Sequence, residues 1–152
     1  MISADNQYQN RRPPKETHPS AMHSQDERSA IEHSLVSIVD DDESVRESLP
    51  DLIREFGFAA RAFSSAEEFL WSGCIDETSC LILDISMPGM SGPELHQELK
   101  RRGRVIPVIF ITGQRDETIR ARVLKQGAAE LLLKPFSDSA LLSAIKTALQ
   151  AT

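Results

Sequence analysis

The sequence predicts an α/β fold, a five-stranded parallel sheet with helices on both faces, in a (βα)5 arrangement. Three observations carry this prediction. From residue 35 onward, short apolar runs alternate with amphipathic stretches at helical spacing, five of each. Several of the runs are apolar on both faces, as strands covered on both sides must be. Glycines recur where the helical periodicity stops, at the place where a left-handed closure costs glycine least. Strands alternating with helices specify parallel pairing through right-handed crossovers. At 152 residues, 40% hydrophobic and 26% charged, the chain suits one domain with a sizeable core.

Residues 1–33 stand apart. They are rich in Asn, Gln, Ser, His and Pro, with scattered apolar side chains. Such a segment buries too little surface to offset its ordering entropy, so a disordered tail is expected here, with the domain over residues 34–150. The tail's charges are mixed, Arg11, Arg12 and Lys15 against Asp5, Glu16, Asp26 and Glu27, so it is no basic arm. His18, His23 and His33 are irregularly spaced and read as solvated rather than metal-binding.

The first strand is expected at residues 35–39. A helix over 44–56 follows, with Val45, Leu49, Leu52, Ile53 and Phe56 on one face and Gly57 at its end. The second strand spans 59–63, and its helix carries Ala66, Phe69 and Leu70, with Ser64 and Ser65 as caps and Gly73 as terminator. The third strand spans 80–83, followed by a helix marked by Leu95 and Leu99 and closed near Gly103. The fourth spans 105–111, followed by Ile119, Val123 and Leu124 and then Gly127. The fifth spans 130–133, and Leu141, Leu142, Ile145 and Leu149 mark the last helix.

Composition excludes several functions. A net charge of −6 argues against a protein that holds nucleic acid by neutralising phosphates. Cys74 and Cys80 form no CxxC or Cys/His metal spacing, and read as reduced thiols of a cytoplasmic protein. No apolar run approaches the roughly 18 residues of a membrane span, and the N-terminus lacks the apolar core of a secretory signal.

Ligands of open α/β sheets bind outside the carboxyl ends of the strands, so the residues just past each apolar run carry the chemistry. The first strand ends in Asp40, Asp41 and Asp42, the third in Asp84, the fourth in Thr112 and Gly113, the fifth in Lys134 and Pro135. The second ends at Ser64 with nothing distinctive. Asp40, Asp41 and Asp84 converge if the first and third strands are neighbours. Acids so close repel one another unless a cation neutralises them, and an all-oxygen donor set suits Mg²⁺. Aspartates at a strand end also serve as a solvated turn or helix cap, and Asp42, just before the first helix, reads as such a cap. Asp84 ends a strongly apolar run and precedes a loop shaped by Pro88, Gly89 and Gly92. Beside Mg²⁺ it can serve as a nucleophile toward a phosphoryl group, with Lys134 stabilising charge and Thr112 adding a hydroxyl. Lys134 is expected to matter for that chemistry and little for folding.

The segments Val39-Asp40-Asp41-Asp42, Asp84 with Met87-Pro88-Gly89-Met90-Ser91-Gly92, Ile111-Thr112-Gly113 and Lys134-Pro135-Phe136 together resemble the receiver domains of two-component response regulators, most closely the FixJ/NarL-like type. The resemblance spans residues 35–149. It implies the strand order 2-1-3-4-5 and an aspartyl-phosphate switch rather than an enzyme, with transfer onto the aspartate and autodephosphorylation built in. Asp84 would accept the phosphoryl group. Asp41 would bind Mg²⁺ directly, Asp40 mostly through water, and the backbone carbonyl of Ser86 would add a ligand. Lys134 and Thr112 would contact the phosphoryl group, and Ser86 and Gln114 would border the path of hydrolytic water. A sensor histidine kinase or phosphotransfer protein would be the donor.

Two departures are visible. Receivers usually carry Tyr or Phe where this chain has Leu131, so the surface change that follows phosphorylation is altered while the chemistry is not. No output module is recognisable after the receiver, which implies a single-domain regulator acting on a downstream protein, with no direct nucleic-acid contact. The face of the fourth helix, fifth strand and fifth helix is the family's usual signalling surface and a candidate homodimer face; here it presents Arg115, Arg120, Arg122 and Lys125, although such a charge run is more often simply a solvated face. A pseudo-receiver that is never phosphorylated is one alternative. A Mg²⁺-dependent small-molecule phosphatase is another, opposed by Ser86 standing where haloacid-dehalogenase-type enzymes need a second acid.

Overall fold

The computed structural model describes residues 33–150. The expected tail, save His33, lies outside the described residues. Five strands, β1 (Leu35–Val39), β2 (Ala59–Phe63), β3 (Thr78–Asp84), β4 (Val108–Thr112) and β5 (Glu130–Leu133), alternate with five helices. The helices are α1 (Glu43–Glu55), α2 (Ala66–Trp71), α3 (Gly92–Arg101), α4 (Glu117–Lys125) and α5 (Asp138–Gln150). All strands pair in parallel in the order β2-β1-β3-β4-β5, as the resemblance implied.

This order puts β1 and β3 side by side at the centre, with Val39 opposite Leu83. The central strands are buried on both faces: Ile38, Leu81, Ile82, Leu83, Ile109 and Phe110 are all fully buried. Double-sided burial is what near-continuous apolar runs specify. Ser37 and Thr78, the polar exceptions between β1 and β3, satisfy each other through hydroxyls 2.7 Å apart, and the Thr78 hydroxyl also donates to the Cys74 carbonyl. Cys74 and Cys80 are buried free thiols.

The helix ends follow the sequence chemistry. Asp42 caps α1, Ser65 caps α2, and Ser91 with Glu94 closes a full capping box on α3. The four glycines expected at helix ends all take positive φ. Two expected boundaries move by more than one residue. The fourth strand begins at Val108, not at residue 105, because Pro107 lacks the N–H a ladder needs, and Val105 turns out to 91% exposure. The third strand starts two residues early, its polar start hidden from an apolar count by the Ser37–Thr78 pairing. No helix among the described residues is long and apolar enough to cross a membrane.

Candidate functional site

The carboxyl end of the sheet gathers the strand-end residues. The Asp40 N–H extends the β1–β2 ladder by donating to the Phe63 carbonyl at 3.1 Å, so the aspartate is held as rigidly as the strand. Its side chain is fully buried. Oδ1 accepts from the Asp42 N–H at 2.9 Å, and Oδ2 accepts from Lys134 Nζ at 3.0 Å. Its carbonyl accepts from Arg46 at 2.9 Å. Asp42 accepts from the Ser44 hydroxyl and N–H, which hold its carboxyl below the usual range. It is the cap the sequence suggested.

Asp84, the last residue of β3, is buried opposite Ile111 of β4. One carboxylate oxygen from each of Asp40, Asp41 and Asp84 can be chosen so that all three lie within 4.8 Å of one another. Burial pushes the Asp84 carboxyl up to about 7, and the charge of Asp40 adds to it; Lys134 pulls the other way without cancelling them. Burial alone would lower the Lys134 ammonium, but Asp40 above all, with Asp84 and Asp42, raises it overall. The site therefore holds a surplus of negative charge around one cation.

Thr112 closes β4, and its hydroxyl accepts from the Gln114 N–H at 3.1 Å. Its carbonyl accepts from the Lys134 N–H at 2.7 Å, which ties the two strand ends together. The Lys134–Pro135 peptide is cis. Ser86 and Gln114 are exposed at the rim, in the loops that follow β3 and β4. Leu131 is buried on β5 opposite Phe110, and a cavity of about 60 Å³ lies beside it, lined also by Thr112 and Arg120. Arg115, Arg122 and Lys125 are exposed as expected. Arg120 instead donates to the Leu131 carbonyl at 3.1 Å and pairs with Glu130 at 3.6 Å, so it is engaged with β5 rather than presented.

Three contributions are not evident from the sequence. Arg46, one turn into α1, fixes the Asp40 backbone; nothing in its surroundings in the sequence distinguishes it from a solvated arginine. Glu67 on α2 accepts from the Met90 N–H at 3.1 Å and so ties down the loop after Asp84. Gly92 shapes that loop as expected, yet its role is steric: a Cβ there would lie 2.2 Å from the Asp84 carbonyl oxygen. Only glycine lets α3 start this close to the end of β3.

The model of the family described as "Response regulator receiver domain" matches residues 36–146. The chain belongs to the response regulator receiver domain family. This receiver is 46% identical over 115 residues to nodulation protein W of Bradyrhizobium diazoefficiens, covering 76% of this chain and 51% of that protein. It is 41% identical over 114 residues to the transcriptional regulatory protein FixJ of Azorhizobium caulinodans, covering 75% of this chain and 54% of that one. The receiver chain thus spans about half the length of these curated relatives. Among solved structures, it superposes on FixJ-N with a TM-score of 0.70 at 38% identity, covering 78% of this chain and 94% of that one. On the response regulator StyR the TM-score is 0.71 at 45% identity, covering 77% and 59% respectively.

Proposed function

We propose that this receiver is a phospho-accepting switch, charged on Asp84 by a histidine kinase or phosphotransfer protein and read out by a downstream protein or by onward transfer. The observation that carries this reading is the convergence of Asp40, Asp41 and Asp84 around the ion pair of half-buried Lys134 with buried Asp40. Three carboxylates and one ammonium leave two formal negative charges, which one divalent cation cancels. The donor set is all oxygen, and the charge of Asp40 adds to burial in raising the Asp84 carboxyl, so the residues fit Mg²⁺. Asp40, Asp41, Asp84 and the Ser86 carbonyl would hold it. When bound, the ion supplies charge neutralisation for the carboxylates and for phosphoryl oxygens.

Asp84 acts as nucleophile. An ionised carboxylate oxygen forms the O–P bond while the donor's N–P bond breaks, and the electron pair departs with the donor imidazole. Burial at the end of a rigid strand fixes that oxygen in place, and Gly92 keeps the approach of α3 compatible with it. Lys134, braced on Asp40, holds an ammonium beside the charge that develops. The Thr112 hydroxyl accepts from Gln114 and can turn its own hydrogen toward an added phosphoryl oxygen. Ser86 and Gln114 at the rim are placed to influence water attack, and hence the lifetime of the modified state. The chain is in this sense a signalling domain and not an enzyme, and it works in the cytoplasm, where Cys74 and Cys80 stay reduced. The output surface is α4, β5 and α5, engaging a protein target or a second copy of the chain rather than nucleic acid.

Incubation of the chain with Mg²⁺ and acetyl phosphate, followed by intact-mass measurement, tests this. A single phosphoryl adduct that Asp84→Asn abolishes is the expected result. No adduct at millimolar Mg²⁺ would favour a pseudo-receiver, and steady turnover of a phosphate ester without an adduct would favour a phosphatase.

A further inference from the structure

The opposite end of the sheet carries a second feature that the phosphoryl chemistry does not use. Between α3, the loop leading into β4 and the turn leading into β5 lies a cavity of about 470 Å³. That is within the range of small-molecule sites, roughly 300–1,000 Å³. Val105, Ile106 and Pro107 form an apolar wall. Val105 stands 91% exposed at its edge, a large apolar side chain left in water.

His96, also in the wall, is 5% exposed, and its Nδ1 is sealed from water without a hydrogen-bond partner. Buried polar atoms in folded proteins are nearly always paired, so the ring leaves one nitrogen unsatisfied in this wall, and a polar ligand atom would meet the part of the ring that stays 5% exposed. Burial, then the charge of Lys100, pushes the His96 imidazolium down to about 4. At neutral pH the ring is therefore uncharged and offers one donor and one acceptor. It is held edge-on against Phe110, with ring centres 5.7 Å apart.

The mouth is cationic. Lys100 reaches from α3 and donates to the Gln126 carbonyl, which pins its ammonium at the rim. Arg104 lines the same cavity and is braced by Asp76 at 2.9 Å.

We propose that this cavity is a binding site for a small monocarboxylate with a compact apolar body. The carboxylate meets Lys100 and Arg104, the body lies on the Val105–Pro107 wall, and a polar substituent at its far end pairs with His96. A neutral molecule of the same shape forfeits the rim charges, and a dicarboxylate would bury a second charge against apolar atoms.

The test is a titration of the ¹⁵N-labelled chain with cyclohexanecarboxylate, its 4-hydroxy derivative and cyclohexanecarboxamide, followed by amide shifts. Saturable shifts are expected for the carboxylates at residues 103–106 and 127–129, with dissociation constants on the order of 1 mM or tighter. The amide should bind about tenfold more weakly, as should the parent acid to Lys100→Ala, each having lost a charge-assisted contact. Lys100 is a surface side chain, so this variant folds. In His96→Phe, judged folded by its spectrum, the advantage of the 4-hydroxy derivative should vanish while the parent acid still binds. The proposal is overturned by shifts that fail to saturate at about 20 mM. It is equally overturned by shifts that map elsewhere, by an amide that binds as well as the acid, or by indifference to Lys100→Ala. Concentration-dependent shifts at these residues without any ligand would assign the cavity to a second copy of the chain instead, and also overturn it.

Discussion

Asp84→Asn should stabilise the metal-free protein, in a way that depends on pH. In the folded state burial and Asp40 hold the Asp84 carboxyl near 7, against an ordinary value of 3.8. Below about pH 4 the group is protonated in both folded and unfolded chains and contributes no difference. Between about 4 and 7 the folded chain keeps a proton that the unfolded chain has released, so stability falls as pH rises. Above about 7 the group is ionised in both states and the full loss is reached. Each tenfold change in proton affinity is worth about 1.4 kcal/mol, so the ceiling is about 4 kcal/mol, of which about 1.5 is already lost at pH 5. Water entry and side-chain relaxation reduce this, and about 2 kcal/mol at pH 8 is the expected gain for the asparagine variant. For a domain of this size that raises Tm by roughly 6–8 °C.

Paired urea melts of the two proteins in EDTA at pH 5 and pH 8 measure the gain. All other titrating groups are shared, so the difference isolates position 84. A variant no more stable than the parent at pH 8, or a gain equal at both pH values, would refute the account of a buried, charge-crowded aspartate. Adding Mg²⁺ should narrow the gap, because the ion binds the parent and not the variant. At a hundredfold excess over its dissociation constant, an ion stabilises by about 2.7 kcal/mol.

Three further substitutions probe other parts of the site. Lys134→Ala should cost about 2–3 kcal/mol in EDTA, since Lys134 is the ion-pair partner of the fully buried Asp40; urea melts read this, and the result would replace the sequence-based expectation that Lys134 is dispensable for folding. Gly92→Ala puts a Cβ 2.2 Å from the Asp84 carbonyl, so a loss of about 2–3 kcal/mol and slower adduct formation from acetyl phosphate are expected, read by thermal melts and intact mass. Leu131→Phe adds a ring beside a cavity of only about 60 Å³, so it should cost about 1 kcal/mol in melts yet leave the rate of adduct formation unchanged, because Leu131 touches none of the acids.

What the sequence made legible follows from the length scale of each signal. Strand and helix identity came from patterns over four to thirteen residues, and every element was found. Asp40, Asp84, Thr112 and Lys134 were legible because a parallel sheet sends all strand ends to one edge, so position along the chain implies position in space. The missing pieces depend on contacts between elements that no local pattern encodes. Arg46 looks like any helix arginine until the Asp40 carbonyl is found 2.9 Å away. The Gly92 constraint comes from a carbonyl eight positions earlier, brought close by the turn of the chain. Pro107 did carry a local signal against a strand starting at residue 105, and apolar counting alone does not register it.

The charge balance explains why such a site can act as a switch. Metal-free, it holds two excess negative charges, and Asp84 partly escapes by keeping a proton. On the proposed function, a bound divalent cation would bring the site near neutrality and free the carboxylate to act. The aspartyl phosphate, an acyl phosphate, would carry about −1.5 to −2, against −1 for the aspartate it replaces, so modification would restore a deficit of up to one positive charge. Lys134 and the Thr112 hydroxyl, joined through the β4–β5 backbone bond, are the donors at hand to answer it. Any shift of Thr112 acts directly on the small cavity it shares with Arg120 and Leu131. Arg120 is bonded to the Leu131 carbonyl and paired with Glu130, so the movement has a polar handle on α4 even without an aromatic ring on β5. If Asp84 is charged as proposed, the outward signal would run through Arg120 and the position of α4, and substituting Arg120 with Ala should blunt the response of α4 amide shifts to beryllofluoride while leaving the adduct at Asp84 intact.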